Sequence, residues 1–167
     1  GKSLSGANIV FFNNIRATDF AYHAPSGGIT GFVPTGYTTG PIKVSGYNNS
    51  GQLGVNDIAN RSTPVTTILG GTNWKSVSCG NTFTSAIATD GSLWVWGFNG
   101  FGQLGNGTTT NYSSPIQVGL LTNWKYVAST SGSTFAIKND GTLWSWGGNN
   151  FGVLGLGNQT GYSSPKQ

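Results

Sequence analysis

The chain has 167 residues, of which eight are Lys or Arg and four are Asp, and it contains one His, one Cys and no Met. So few ionisable and metal-ligating side chains exclude an intrachain disulfide and a zinc–thiolate cluster, and they leave little material for acid–base catalysis. The 28 Gly residues and the lack of Glu disfavour helices. An aromatic content of 13% supplies core side chains and argues against disorder.

The N-terminal part differs from the rest of the chain. Residues 1–38 carry no repeated motif, and we interpret them as a non-repeat segment for attachment or capping. Their apolar run Ile9–Phe12 has the length of a strand, far below the ~20 residues of a membrane span. His23 is a lone imidazole and is interpreted as a surface or packing residue. Because the chain starts at Gly1 without Met, we expect a processed product or a part of something longer.

A repeat of about 50 residues fills positions 39–167. A Gly-x-Asn-rich segment begins near Gly46, near Gly97 and again near Gly147, so the copies are 51 and 50 residues apart. Two units carry strand-like runs: Trp74–Ser78, Phe83–Ala88 and Leu93–Trp96, then Trp124–Ala128, Thr134–Ile137 and Leu143–Trp146. Asp90-Gly91 and Asp140-Gly141 are hairpin-turn signals between such runs. About four strands per unit predict an all-β fold of β-propeller blades, with two full repeats plus partial ones.

One motif identifies a family. Leu-Trp-x-Trp-Gly-x-Asn-x-x-Gly-Gln-Leu-Gly at Leu93–Gly105 strongly resembles the regulator of chromosome condensation repeat, which forms β-propellers. The copy at Leu143–Gly155 departs from the pattern at Val153, where the family has Gln. A propeller closes with about four to eight blades, so 167 residues are too few for a ring. We expect a fragment of a longer propeller; assembly of several copies, or capping by residues 1–38 and another protein, are the alternatives.

The repeated residues have structural interpretations. The repeated Gly residues suit positive φ or close backbone approach, and Asn48, Asn99 and Asn149 suit hydrogen bonds to their own loops. The repeated Trp side chains are expected between neighbouring blades. Asp90 and Asp140 begin turns in different blades, and Cys79 aligns with Ser129. We therefore interpret these three as structural residues and predict no catalytic residues.

No cofactor or metal is predicted. The stretch Gly97-x-x-Gly-x-Gly102 lacks the strand–loop–helix context of a phosphate-binding loop. The basic residues are scattered, whereas a nucleic-acid interface needs a clustered basic face, so no nucleic-acid partner is predicted. The chain is therefore predicted not to be an enzyme.

Composition then favours a noncatalytic structural or adhesive component of a virus particle, such as a tail, fibre or decoration protein, or of an extracellular assembly. Its partners would be other protein subunits of that assembly, or a host surface receptor or glycan. The family resemblance implies the alternative, a protein-binding propeller of the guanine-nucleotide exchange or secreted-inhibitor type. In either case loops on the β scaffold would make the contacts, over residues 56–62, 106–112 and 157–162. The candidate contact residues are Asn106, Thr109, Tyr112, Asn158 and Tyr162.

Overall fold

The computed structural model describes residues 9–12, 42–68 and 74–167, and all regular elements in these ranges are strands. They form three antiparallel sheets. The first sheet contains β1 (Ile9–Phe12), β2 (Ile42–Gly46) and β3 (Arg61–Thr66). The second contains β4 (Trp74–Cys79), β5 (Phe83–Ala88), β6 (Leu93–Gly97) and β7 (Tyr112–Gln117). The third contains β8 (Trp124–Ser129), β9 (Ser133–Lys138), β10 (Leu143–Gly147) and β11 (Tyr162–Lys166).

The second and third sheets are complete four-stranded blades in which each strand pairs with the next along the chain. This confirms the predicted all-β fold and blade size. The smallest closed propeller requires about four blades, and the structure describes three sheets. This agrees with the prediction of an incomplete propeller. None of the described segments forms a helix that could span a bilayer.

The fourth strand of each blade was not placed by the sequence patterns. β3, β7 and β11 pass through Pro64, Pro115 and Pro165, residues that usually interrupt strands. Each of these strands lies at the edge of its sheet, where a missing N–H costs no ladder hydrogen bond. The register also shifts at the same place in every blade, as between Val95 and Gly97 in the second.

The first sheet combines a repeat with the N-terminal segment. β2 and β3 correspond to the third and fourth strands of the other blades, and β1 pairs with β2 where those blades place their second strand. Ile9–Phe12 is thus a strand, as predicted. His23 and the boundary at 38/39 lie outside the described residues, so the attachment or capping role stays a prediction.

The hydrophobic cores lie between blades. The core between the first and second sheets contains Ile42, Val44, Leu53, Trp74, Val77, Cys79, Ala86, Ala88 and Trp96. The core between the second and third sheets, called the second core below, contains Phe83, Ile87, Leu93, Val95, Leu104, Val118, Trp124, Ala136 and Trp146. Neighbouring blades therefore cover each other's apolar faces, as the units of repeat proteins do.

A loop carbonyl joins each blade to the next. The backbone oxygen of Gln52 accepts hydrogen bonds from the Thr84 hydroxyl and the Trp96 indole, both at 2.9 Å. One repeat later the Gln103 oxygen accepts the Thr134 hydroxyl at 2.8 Å and the Trp146 indole at 3.0 Å. We call this pair of bonds the carbonyl clamp. It confirms that these Trp residues pack between blades.

Close approach at the carbonyl clamp requires glycine. Gly54 has φ +66°, and a Cβ atom there would lie 2.8 Å from the indole nitrogen of Trp96. Gly155, at the same repeat position, has φ +70°, but a Cβ atom there would meet nothing within 4 Å among the described residues. The third loop is thus unclamped, and Val153 is 52% exposed where Gln52 is 1% exposed.

Gly54→Ala is expected to lower the free energy of unfolding by about 2–4 kcal/mol, because it adds a steric clash to positive-φ strain. Gly155→Ala is the matched control and should cost only about 1 kcal/mol, since it adds the backbone strain alone. Urea unfolding of both variants measures the difference. Equal losses would show that the clamp does not impose glycine at position 54.

Thr134→Val and Trp146→Phe each leave the buried Gln103 carbonyl with one of its two side-chain donors. The double variant leaves it with neither, and an unsatisfied buried acceptor costs about 1–3 kcal/mol. The double variant should therefore lose at least about 1 kcal/mol more than the sum of the single losses. Additive losses in a double-mutant cycle would contradict the carbonyl clamp.

Candidate interaction surface

Three equivalent long loops connect the third and fourth strands of the blades, over residues 47–60, 98–111 and 148–161. A buried Asn shapes each one. In the second loop the Asn99 side-chain oxygen accepts the Leu104 N–H at 2.9 Å, and its amide group donates to the Thr108 carbonyl at 2.9 Å. Asn48 and Asn149 make the corresponding bonds. The predicted role of these Asn residues is confirmed.

Backbone hydrogen bonds place the three long loops in one row. The Asn56 N–H donates to the Ser113 carbonyl at 2.8 Å, which ties the first loop to the strand that follows the second loop. The Gly107 N–H donates to the Ser163 carbonyl at 2.7 Å and ties the second loop to the strand after the third. Ser114 also donates to the Asn56 side-chain oxygen at 3.0 Å. These hydrogen bonds therefore hold the first and second loops in place relative to the neighbouring blade.

The candidate contact residues differ in how free they are. Thr109 is exposed, and its side chain makes no hydrogen bond within the described part of the chain. The Asn106 side chain accepts bonds from Thr108, at 3.2 Å from its N–H and 3.0 Å from its hydroxyl. Asn158 accepts the Thr160 N–H at 2.9 Å. Among the candidate contact residues of the second loop, Thr109 is thus the one whose side chain is free to bond to a partner.

Tyr112 and Tyr162 are half-buried and pack against the second core. Asn158 also donates to the Tyr162 hydroxyl at 3.3 Å. The two rings therefore stabilise the loop ends, whatever else they contact. Asn106, Thr109 and Asn158 lie on two neighbouring loops, and Tyr112 and Tyr162 begin the strands that follow them. Contact of these five residues with a partner stays a prediction.

Sequence reasoning missed several exposed apolar side chains on the same loops. Ile58 on the first loop is 63% exposed. Phe101 on the second loop and Phe151 on the third occupy equivalent positions to each other, and they are 55% and 90% exposed. The signal available was an isolated apolar residue within a polar loop. Such side chains add apolar contact area to the row.

The row of long loops is electrically neutral. Asp57 and Arg61 form an ion pair at the first loop, and the other two loops contain no ionisable residue. A hydrogen bond from the Ala59 backbone, followed by the bond from Arg61, lowers the pKa of Asp57. The surface therefore offers amides, hydroxyls and apolar groups rather than charge.

Asp90 and Asp140 cap hairpin turns at the strand ends that lie opposite the row of long loops. Asp140 accepts the Thr142 hydroxyl at 2.7 Å and its N–H at 3.0 Å, and the Thr142 hydroxyl in turn accepts the Trp144 indole at 2.9 Å. Asp90, Ser92 and Trp94 repeat this chain. These bonds lower the pKa of both carboxyl groups, the side-chain hydroxyl bond most. The two Asp residues lie in separate blades, in agreement with their structural interpretation.

Cys79 is buried, and burial raises its thiol pKa to about 12. A thiol of that pKa is not a nucleophile near neutral pH. Over residues 42–68 and 74–167, no three His, Cys, Asp or Glu side chains lie close enough together to hold a metal ion.

Comparison with known proteins identifies the repeat. The model of the regulator of chromosome condensation (RCC1) repeat matches residues 44–87, 90–137 and 140–167. A second model of the same repeat matches residues 74–103 and 124–153.

Among curated relatives, the dog X-linked retinitis pigmentosa GTPase regulator is 37% identical over 81 residues, covering 47% of this chain and 8% of that protein. The Ultraviolet-B receptor UVR8 of Arabidopsis thaliana is 35% identical over 81 residues, covering 48% of this chain and 18% of that protein. The chain thus matches only a small part of either relative.

Solved structures share the fold. Prp20p from Saccharomyces cerevisiae superposes with a TM-score of 0.69 at 22% identity, covering 75% of this chain and 33% of that chain. Human WBSCR16 gives 0.66 at 23% identity, covering 77% and 33%. At these identities the likeness concerns the fold alone.

The Asp-capped turns predict loss of stability in acid. Because the folded-state pKa values lie below the ordinary 3.8, the turns stabilise the protein fully above that value and lose this contribution as the pH falls through the folded pKa. The melting temperature should therefore decrease when the pH is lowered below about 4. The double variant Asp90→Asn/Asp140→Asn should show a smaller drop in a thermal melt series. An unchanged acid dependence would assign the loss to other groups.

Proposed function

The chain belongs to the regulator of chromosome condensation (RCC1) repeat family, and on this basis we propose that it is a noncatalytic protein-binding module. The row of long loops would contact the partner. The observation that carries this proposal is the pair of backbone hydrogen bonds, from Asn56 to Ser113 and from Gly107 to Ser163, that aligns the loops side by side.

The loop geometry suits protein recognition. A buried Asn holds the base of each loop, and interblade bonds also hold the first two loops, so little conformational entropy is lost when the exposed tips bind. Thr109, Ile58 and Phe151 supply polar and apolar contacts along the row. A broad, neutral row of this kind fits a protein surface better than a small charged ligand.

The similar proteins favour a regulator-type partner. One relative is a GTPase regulator, and Prp20p is described as binding Gsp1p and histones. For this chain a basic partner such as a histone is disfavoured, because the chain carries a net charge of +4 and its loop row has no acidic excess. We propose a partner with a neutral or mildly acidic surface.

The virus-particle or extracellular role rests on composition alone and stays a prediction. Both roles use protein contacts through the loops, and the identity of the bound protein separates them. An experiment that reports both the contacting residue and the partner is therefore needed.

A photo-cross-linking residue placed at Thr109 should give a protein adduct in the cells or particles that produce the chain. The same residue placed at Asn139, which is exposed at the hairpin turns on the opposite blade edge, is the matched control and should give none. Mass spectrometry of the adduct identifies the partner.

Equal labelling from both positions, or from neither, would contradict binding through the loop row. An adduct made only with structural proteins of a particle would favour the assembly role over the regulator-type role.

A further inference from the structure

A cleft of about 380 Å³ lies between the second and third blades, and part of the second long loop lines it. Its volume falls in the range of about 300–1,000 Å³ typical of small-molecule sites. Apolar side chains, one cation and the polar residues Asn106 and Ser164 line it. Its walls include Val118, Leu121, Trp124, Trp144, Lys138 and Pro165.

Lys138 is unusual within this cleft. The residue is only 8% exposed, and its ammonium nitrogen lies 3.7 Å from the centroid of the Trp144 ring and 5.0 Å from that of Trp124. Among the described residues it forms no ion pair, and no acidic residue lines the cleft. The Asp140 carboxylate accepts hydrogen bonds from Thr142, and its Coulombic attraction to Lys138 also helps to lower its pKa.

The second blade shows that this lysine is not needed for the fold. Trp74 and Trp94 meet there edge to face with centroids 6.3 Å apart, as Trp124 and Trp144 do in the third blade. Ala88 occupies the position of Lys138 and is also buried, at 3% exposure. The same pair of indoles is therefore built without a cation.

Burying a lysine is costly for its charged ammonium, and cation–π contacts of about 0.5–2 kcal/mol offset that cost only in part. An anion in the cleft would offset the rest. Within the described part of the chain, the indole N–H of Trp124 is buried without a hydrogen-bond partner. The indole N–H of Trp74 is in the same state, so this is a feature of the repeat and does not point to a ligand.

We propose that this cleft binds a carboxylate group carried on an apolar stem. The Lys138 ammonium would pair with the carboxylate, while Val118, Leu121 and Pro165 would contact the stem. A single ammonium without Arg suits a monoanion, because a phosphate dianion needs more donors to replace its hydration. The second long loop forms part of the cleft wall through Gly105, Asn106 and Gly107, so the site adjoins the row of long loops. The carboxylate would nevertheless bind without the proposed partner.

Isothermal titration calorimetry with 3-phenylpropanoate tests the carboxylate, with 3-phenylpropanamide and inorganic phosphate as comparisons. The amide should bind at least about tenfold more weakly, as expected for loss of a charged hydrogen bond, and phosphate should bind more weakly than the carboxylate. An acetylated Leu-Glu-Leu amide and its Gln counterpart distinguish the source. Tighter binding of the Glu peptide than of the free acid would assign the site to a protein side chain, and the reverse to a small molecule.

Lys138→Ala reproduces the arrangement around Ala88, so it should fold with a similar melting temperature and lose carboxylate binding. Lys138→Met keeps the apolar stem and should lose binding as well. Lys125→Ala, which removes an exposed lysine, is the control and should bind as the unaltered chain does. Equal affinity for acid and amide, binding retained by Lys138→Ala, or affinity weaker than about 10 mM would each overturn the proposal.

Discussion

The backbone carbonyl of Gln52, and that of Gln103 one repeat later, accepts an indole N–H and a hydroxyl from the following blade. Both donors reach it because Thr84 and Trp96 are directly opposite each other on β5 and β6, and so share one face of the sheet. The clamp fixes how closely the blades approach. Glycine at position 54, the interblade core and the alignment of the long loops all depend on that distance.

Much of this architecture could be predicted from the sequence, because the repeat places each residue type in one register. The strands, the Asp-Gly turns and the Asn-organised loops follow from local chemistry. The edge strands through proline could not be placed, since their tolerance of proline depends on having no neighbour on one side. Trp94 forms a hydrogen bond within its own turn, whereas Trp96 forms one across the blade interface. Which Trp makes which bond depends on strand register.

The candidate site was harder to predict for a related reason. Asn106 and Asn158 are polar loop residues in the sequence, but the folded loops use much of their hydrogen-bonding capacity internally. The described Asp residues are likewise engaged in turns or in the pair with Arg61. Local use of the few acidic groups leaves the loop row neutral. Lys138 stands out only when the repeats are aligned and Ala88 is found at the same position. That Lys138 is buried is visible only in the structure.

The carbonyl clamp also has a direction, since the loop that accepts belongs to one blade and the pair that donates belongs to the next. The second blade, a unit of about 50 residues, carries both halves of the junction, because it donates to Gln52 of the first blade and its Gln103 accepts from the third. A tandem duplication of one unit would bring compatible halves to both of its new boundaries. Blade number can then change during evolution by copying whole units, while a change to one half alone is penalised through its neighbour.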